Sequence, residues 1–109
     1  TTPEIAPLHE DLTFHGPLSE ERAARLIQSL QPLDGKHVVD VGCGWAEFLL
    51  RTLEAAPTAT GTGVDLDATA IAQAQANAEA RGLTARVSLH AADVQQWQPE
   101  APVDVVIVN

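Results

Sequence analysis

The sequence predicts an α/β fold, a three-layer α/β/α sandwich built on a mainly parallel sheet. Two observations carry that expectation. Short, β-branched, apolar runs alternate along the chain with longer segments of helical period, joined by brief connections marked by Pro and Gly. The first of these runs, His37-Val38-Val39-Asp40-Val41, is nearly continuous in apolar character and lacks the in-out alternation of a half-solvated strand, as expected of a strand covered on both faces.

Residues 1 to 18 hold three prolines and no clear period, so they read as an irregular N-terminal arm ahead of one domain over residues 19–109. Ser19 is placed to cap a first helix. Glu20 and Glu21 follow where the helix dipole favours acids, and Ala23, Leu26, Ile27 and Leu30 recur at helical spacing before Pro32. Asp34-Gly35 is a turn, and the first strand follows it.

Ala46, Leu49, Leu50 and Leu53 set a second helix from Trp45 to about Ala56, closed by Pro57, and Thr60 to Asp65 forms the second strand. Asp67 caps a third helix through Arg81, with Ile71, Ala74 and Ala78 on one face and Gly82 just past its end. The Ala/Gln-rich composition of Ala68 to Ala80 is that of a plain helix. Ala85 to His90 and Val103 to Val108 complete the strands. No helix follows the fourth strand, so the expected sheet is truncated there, with Val103 to Val108 as an uncovered edge.

Composition bounds the rest. A chain of 109 residues holds one compact domain, and 45% apolar with 19% charged residues is the balance of a folded protein. Two Phe, two Trp and no Tyr or Met leave Ala, Val and Leu to fill a modest core. The net charge of −9 opposes nucleic-acid backbones and anionic membranes, both of which call for clustered Lys or Arg. One cysteine makes no internal disulfide, and no signal-like or membrane-spanning apolar run is seen, so the chain reads as cytoplasmic and reduced.

The residues with chemical character gather at strand ends, where right-handed crossovers bring ligands in such sheets. Gly42 and Gly44 let the backbone turn sharply and approach a ligand closely, which exceeds what a plain connection needs. Asp65 stands 21 positions after Gly44, near the spacing of roughly 20 at which nucleotide-binding folds place an acid on a ribose diol. Asp67 is better placed than Asp65 to cap the next helix, which leaves Asp65 for that role.

Val38-Val39-Asp40-Val41-Gly42-Cys43-Gly44-Trp45-Ala46 resembles the first motif of class I S-adenosylmethionine-dependent methyltransferases, which have a Rossmann-like fold. Gly63-Val64-Asp65, Ala91-Ala92-Asp93-Val94 and Val103 to Asn109 resemble the next three strand ends of that family, so the likeness covers residues 38 to 109. It implies the cofactor-binding half of a methyltransferase domain and S-adenosyl-L-methionine as cofactor. By the same resemblance Asp40 lies beneath the turn and helps place the methionine part, Gly42, Cys43 and Gly44 form the turn, and Asp65 takes the ribose. Asp93 accepts from the adenine amine, Val94 offers its backbone to the ring edge, Leu66 packs on the ring face, and Asn109 ends the fourth-strand motif. The sequence departs from the family at Ala46, where a third glycine often stands, which implies slightly altered helix packing.

The rival class is a nicotinamide-dependent oxidoreductase, since Gly42-Cys43-Gly44 also begins the fingerprint G-x-G-x-x-G. That fingerprint needs glycine where this chain has Glu47, whose charge would repel a pyrophosphate at the helix N-terminus. A sulfonium cation meets no such repulsion from an acidic chain. A non-catalytic module that binds the same cofactor stays open, because fold does not settle function.

Other residues carry less. Cys43 at a helix N-terminus invites a nucleophile role, but no partnered base is near in sequence and a small residue suits the turn. His9, His15, His37 and His90 show no metal-ligand spacing. His15, beside Phe14, is either an ordinary loop histidine or a residue that touches substrate or acts as a base. Trp45 and Trp97 either line a pocket or pack. No catalytic residue is assigned, and the acidic balance points to a small-molecule methyl acceptor.

Overall fold

The structure is a computed structural model and describes residues 4–5 and 20–108. In chain order it holds β1 (Glu4–Ile5), α1 (Glu20–Leu30), β2 (His37–Val41), α2 (Glu47–Ala55), β3 (Thr60–Asp65), α3 (Ala68–Ala80), β4 (Val87–Ala91) and β5 (Val105–Val108). The strands form one sheet in the order β1-β5-β2-β3-β4, with every pair parallel. This is the expected Rossmann-like α/β fold, and the helices described lie on one face of its sheet.

Two expectations are corrected by the sheet. The N-terminal arm is not wholly irregular, because Glu4 and Ile5 pair with Val105 and Val106. The strand at Val105–Val108 is therefore not a bare edge: it lies between β1 and β2, with Val38 to Val41 in register against it. It also begins later than Val103. Asp104 instead accepts from the backbone N–H of His37 through Oδ2 at 2.8 Å, and its own N–H donates to the His37 carbonyl at 3.0 Å. The Ser19 cap lies outside the described residues.

The β2–β3 register pairs Val38 with Gly61 and Asp40 with Gly63, so these four residues share one face of the sheet. The helices cover that face, where α1 packs on α2 and α2 on α3. Glycine at 61 and 63 lets them come close. A Cβ at Gly61 would stand 2.9 Å from Leu49 Cδ1, and one at Gly63 2.8 Å from both Cys43 Sγ and Leu89 Cδ2. Phe48, Leu49, Leu50 and Leu53 of α2 fill the interior with Leu33, Val38 and Ile107. Each such side chain contributes about 1.5–3 kcal/mol relative to exposure.

Helix ends follow the sequence signals at α3. Asp67 accepts from the N–H groups of Thr69 and Ala70, and at the other end Gly82 N–H donates to Glu79 and Leu83 N–H to Ala78, a Schellman pattern with Leu83 buried. The end of α2 is tied differently. Arg86 Nη2 donates to the carbonyls of Leu53, Ala56 and Ala59, joining the last turn of the helix to the loop that follows it. The opposite face of the sheet carries His37, Thr62, Ser88 and His90. The β4–β5 connection crosses this face and sets Trp97 beside His90, ring centres 6.0 Å apart.

Candidate functional site

The site lies at the carboxyl ends of β2, β3 and β4. Val41 ends β2, and Gly42 and Gly44 follow at φ 77° and 56°, a left-handed turn that leads into α2. Gly42 and Cys43 both donate to the Val64 carbonyl, at 2.7 and 3.2 Å. Asp65, at the end of β3, closes the turn from the other side: its Oδ2 accepts from Gly44 N–H at 2.9 Å, and its Oδ1 from Asp67 N–H at 2.9 Å. Its carbonyl accepts from Ala92 N–H at 2.9 Å, which draws the end of β4 alongside.

The three strand ends enclose an open cleft of about 190 Å³. Val41, Gly42, Asp65, Leu66, Asp93 and Val94 line it, so five of the residues singled out in sequence meet around one space. Leu66 is 75% and Val94 40% exposed, large apolar side chains at the rim where a flat ligand would cover them. Asp93 Oδ1 accepts from Gln95 N–H at 2.9 Å, which holds the carboxylate at the start of a turn.

The other expected residues are placed differently. Asp40 is 1% exposed and does not line the cleft. Cys43 turns its thiol into the core against Gly63. Burial, with the negative charges of Asp40 and Asp65 adding to it, pushes the thiol up to about 12. A thiol so held is no nucleophile at neutral pH. Asn109, and likewise His9, Phe14 and His15, lie outside the described residues. His37 stands on the opposite face with both ring nitrogens on hydroxyls, Thr60 at 2.7 Å and Thr62 at 2.8 Å. Trp45 is 64% exposed next to the turn, while Trp97 packs on the opposite face of the sheet.

Glu47 corrects part of the argument against a dinucleotide. Burial alone would raise its carboxyl, but hydrogen bonds from Arg81 and Arg51 outweigh that and hold it below the usual range. Arg81 Nη2 lies 2.7 and 2.8 Å from its two oxygens and Arg51 Nε 2.7 Å from one. Its charge is thus matched, and only the bulk of the side chain remains against the fingerprint. Sequence reasoning also missed Asn77, whose Nδ2 donates to the Trp45 carbonyl at 3.1 Å across 32 positions, a contact with no local signal.

The chain belongs to the methyltransferase domain family, whose model matches residues 38–109. A solved S-adenosylmethionine-dependent methyltransferase from Thiobacillus denitrificans, in complex with S-adenosyl-L-homocysteine, is 29% identical with a TM-score of 0.78. One from Geobacter sulfurreducens, in the same complex, is 26% identical with a TM-score of 0.78. The match covers 92% of this chain and 40% of each of those chains. An RNA methyltransferase from Salinibacter ruber, at 20% identity and a TM-score of 0.71 over 84% of this chain and 60% of that one, shares the fold. No curated protein sequence matches. S-adenosylmethionine is the cofactor of the family, and both complexes hold its demethylated product. Among the described residues no helix is long and apolar enough to cross a membrane, and no group of three or more His, Cys, Asp or Glu is placed to hold a metal.

Proposed function

We propose that residues 19–109 form the cofactor-binding half of a methyltransferase that transfers a methyl group from S-adenosylmethionine to a small-molecule acceptor in the cytoplasm. The observation that carries this reading is the cleft itself, with an acid at its centre, apolar side chains at its rim and a glycine turn at its edge. The donor set fits the group. Asp65 uses one lone pair on each oxygen for Gly44 and Asp67, and a carboxylate has about four such positions, so two remain for the hydroxyls of a ribose.

Leu66 and Val94 flank the adenine, and Asp93 accepts from its exocyclic amine. Gly42, Cys43 and Gly44 present backbone to the amino-acid end, with Asp40 supporting the turn from below. When bound, S-adenosylmethionine supplies a methyl group activated on a cationic sulfonium. The contribution of this chain is positioning: the strand ends fix the donor so that an acceptor meets the methyl in line. The net charge of −9 favours a cationic ligand and disfavours a nucleic-acid acceptor.

The test is incubation of the full-length protein with S-adenosylmethionine labelled on the methyl group, in the presence of separate pools of small metabolites, RNA and protein. Label in the small-molecule pool is expected. Label in RNA or protein overturns the acceptor class, and cofactor binding without transfer to any pool favours a non-catalytic module.

A further inference from the structure

Ala46 is the one non-glycine residue at positive φ among those described, at 66°. An L-residue resists this conformation because its Cβ crowds the carbonyl oxygen, so the surroundings must hold it. Its methyl is fully buried, which fixes one side of the residue. The peptide that precedes it is held at both of its polar groups. Ala46 N–H donates to the Cys43 carbonyl at 2.8 Å, and the Trp45 carbonyl accepts from Asn77 Nδ2 at 3.1 Å.

The first of these bonds is internal to the turn and moves with it. The second comes from α3 and fixes the turn against another element. The orientation of Asn77 follows from chemistry, since a carbonyl only accepts and the amide nitrogen must face it. The Asn77 oxygen then accepts from Gln73 Nε2 at 3.0 Å, a neighbour one helical turn earlier on α3.

We propose that Asn77 is a positioning residue for the cofactor turn. It holds the Trp45–Ala46 peptide so that Ala46 keeps its left-handed conformation and Gly42 to Trp45 keep the shape that receives the amino-acid end of the cofactor, while Gln73 steadies its amide. This rests on the reading of the turn as the cofactor site. Asn77 touches no ligand itself in this account and acts through the backbone of Trp45.

The test is titration of the full-length protein with S-adenosylhomocysteine, alongside 5′-methylthioadenosine, which keeps the nucleoside but lacks the amino-acid end, measured by competition. Asn77→Ala and Asn77→Asp, which both lose the donor, are expected to weaken S-adenosylhomocysteine roughly threefold to tenfold. Gln73→Ala acts in the same direction and less. 5′-Methylthioadenosine is expected to change less than about twofold, and in an Ala46→Gly background the effect of Asn77→Ala should also fall below about twofold, because glycine holds the left-handed conformation unaided. Equal weakening of both ligands, an undiminished effect in the Ala46→Gly background, or unchanged affinity in Asn77→Ala overturns the proposal while the cofactor site stands. Absence of S-adenosylhomocysteine binding to the wild-type protein overturns the site and the proposal together.

Discussion

The carboxylate of Asp65 accepts the backbone N–H of Gly44 at 2.9 Å, joining the end of β3 to the glycine turn across 21 positions of sequence. The same group therefore shapes the turn and faces the cleft. Removing it leaves the N–H groups of Gly44 and Asp67 without their acceptor, a loss of roughly 1–3 kcal/mol, and takes away the acid proposed for the ribose. Asp65→Ala is expected to unfold at lower temperature and to lose measurable S-adenosylhomocysteine binding. Thermal unfolding and calorimetry on one preparation check both, and wild-type values for both would remove Asp65 from the account.

Gly63 is a second point where β3 meets the turn. A Cβ there would stand 2.8 Å from Cys43 Sγ and 3.2 Å from Cys43 Cβ, so the turn itself must shift, whereas at Gly61 the crowded atoms belong to the flexible ends of Leu49 and Leu53. Gly63→Ala is expected to destabilise by about 1–3 kcal/mol and Gly61→Ala by less. Adding Cys43→Ala to Gly63→Ala removes the clashing sulfur and should recover part of the loss. Urea unfolding of the single and double variants measures this, and a fully additive pair would contradict the contact.

The thiol of Cys43, pushed up to about 12 by burial and two nearby carboxylates, is thiolate only to the order of one part in ten thousand at pH 8. The native protein is expected to resist a thiol-reactive probe at that pH and to label stoichiometrically in urea. Rapid native labelling would show that the side chain leaves the core.

Burial lowers the pKa of His37 below 6.5, against an opposing pull from Asp104. The folded protein then binds this proton less readily than the unfolded chain, so the His37 contribution is present above pH 6.5 and is lost as pH falls through the window below it. His37→Gln is expected to flatten the acid side of the stability profile below pH 6.5. Identical slopes for variant and wild type would contradict it.

Arg86 closes α2 from β4's side of the sheet by donating to three carbonyls. Arg86→Ala leaves them without that donor, and a loss of roughly 2 kcal/mol is expected, since charged donors stabilise more than neutral ones. Chemical denaturation measures it, and an unchanged midpoint would show that water replaces the guanidinium at no net loss.

Much of this architecture is written locally. β2 and β3 fall where their apolar runs place them, and α3 begins and ends on Asp67 and Gly82, because buried strands and helix caps are short-range patterns. The cleft was legible in part for the same reason: Gly42, Asp65 and Asp93 each stand at a strand end. What was not legible depends on distant partners or on backbone choice. α2 starts at Glu47 and not at Trp45 because Ala46 takes a left-handed conformation that nothing in an alanine announces. The pairing of Glu4–Ile5 with β5 joins the two ends of the chain, and Arg86 and Asn77 reach residues 27 to 33 positions away. No periodicity records such contacts.

On the proposed function, the cleft between β2, β3 and β4 binds the methyl donor. Calorimetric titration of the full-length protein with S-adenosylhomocysteine, with NADH as the control ligand, tests it most directly. Saturable one-to-one binding of S-adenosylhomocysteine and none of NADH is the predicted result. No binding, or binding of NADH in its place, would contradict the account.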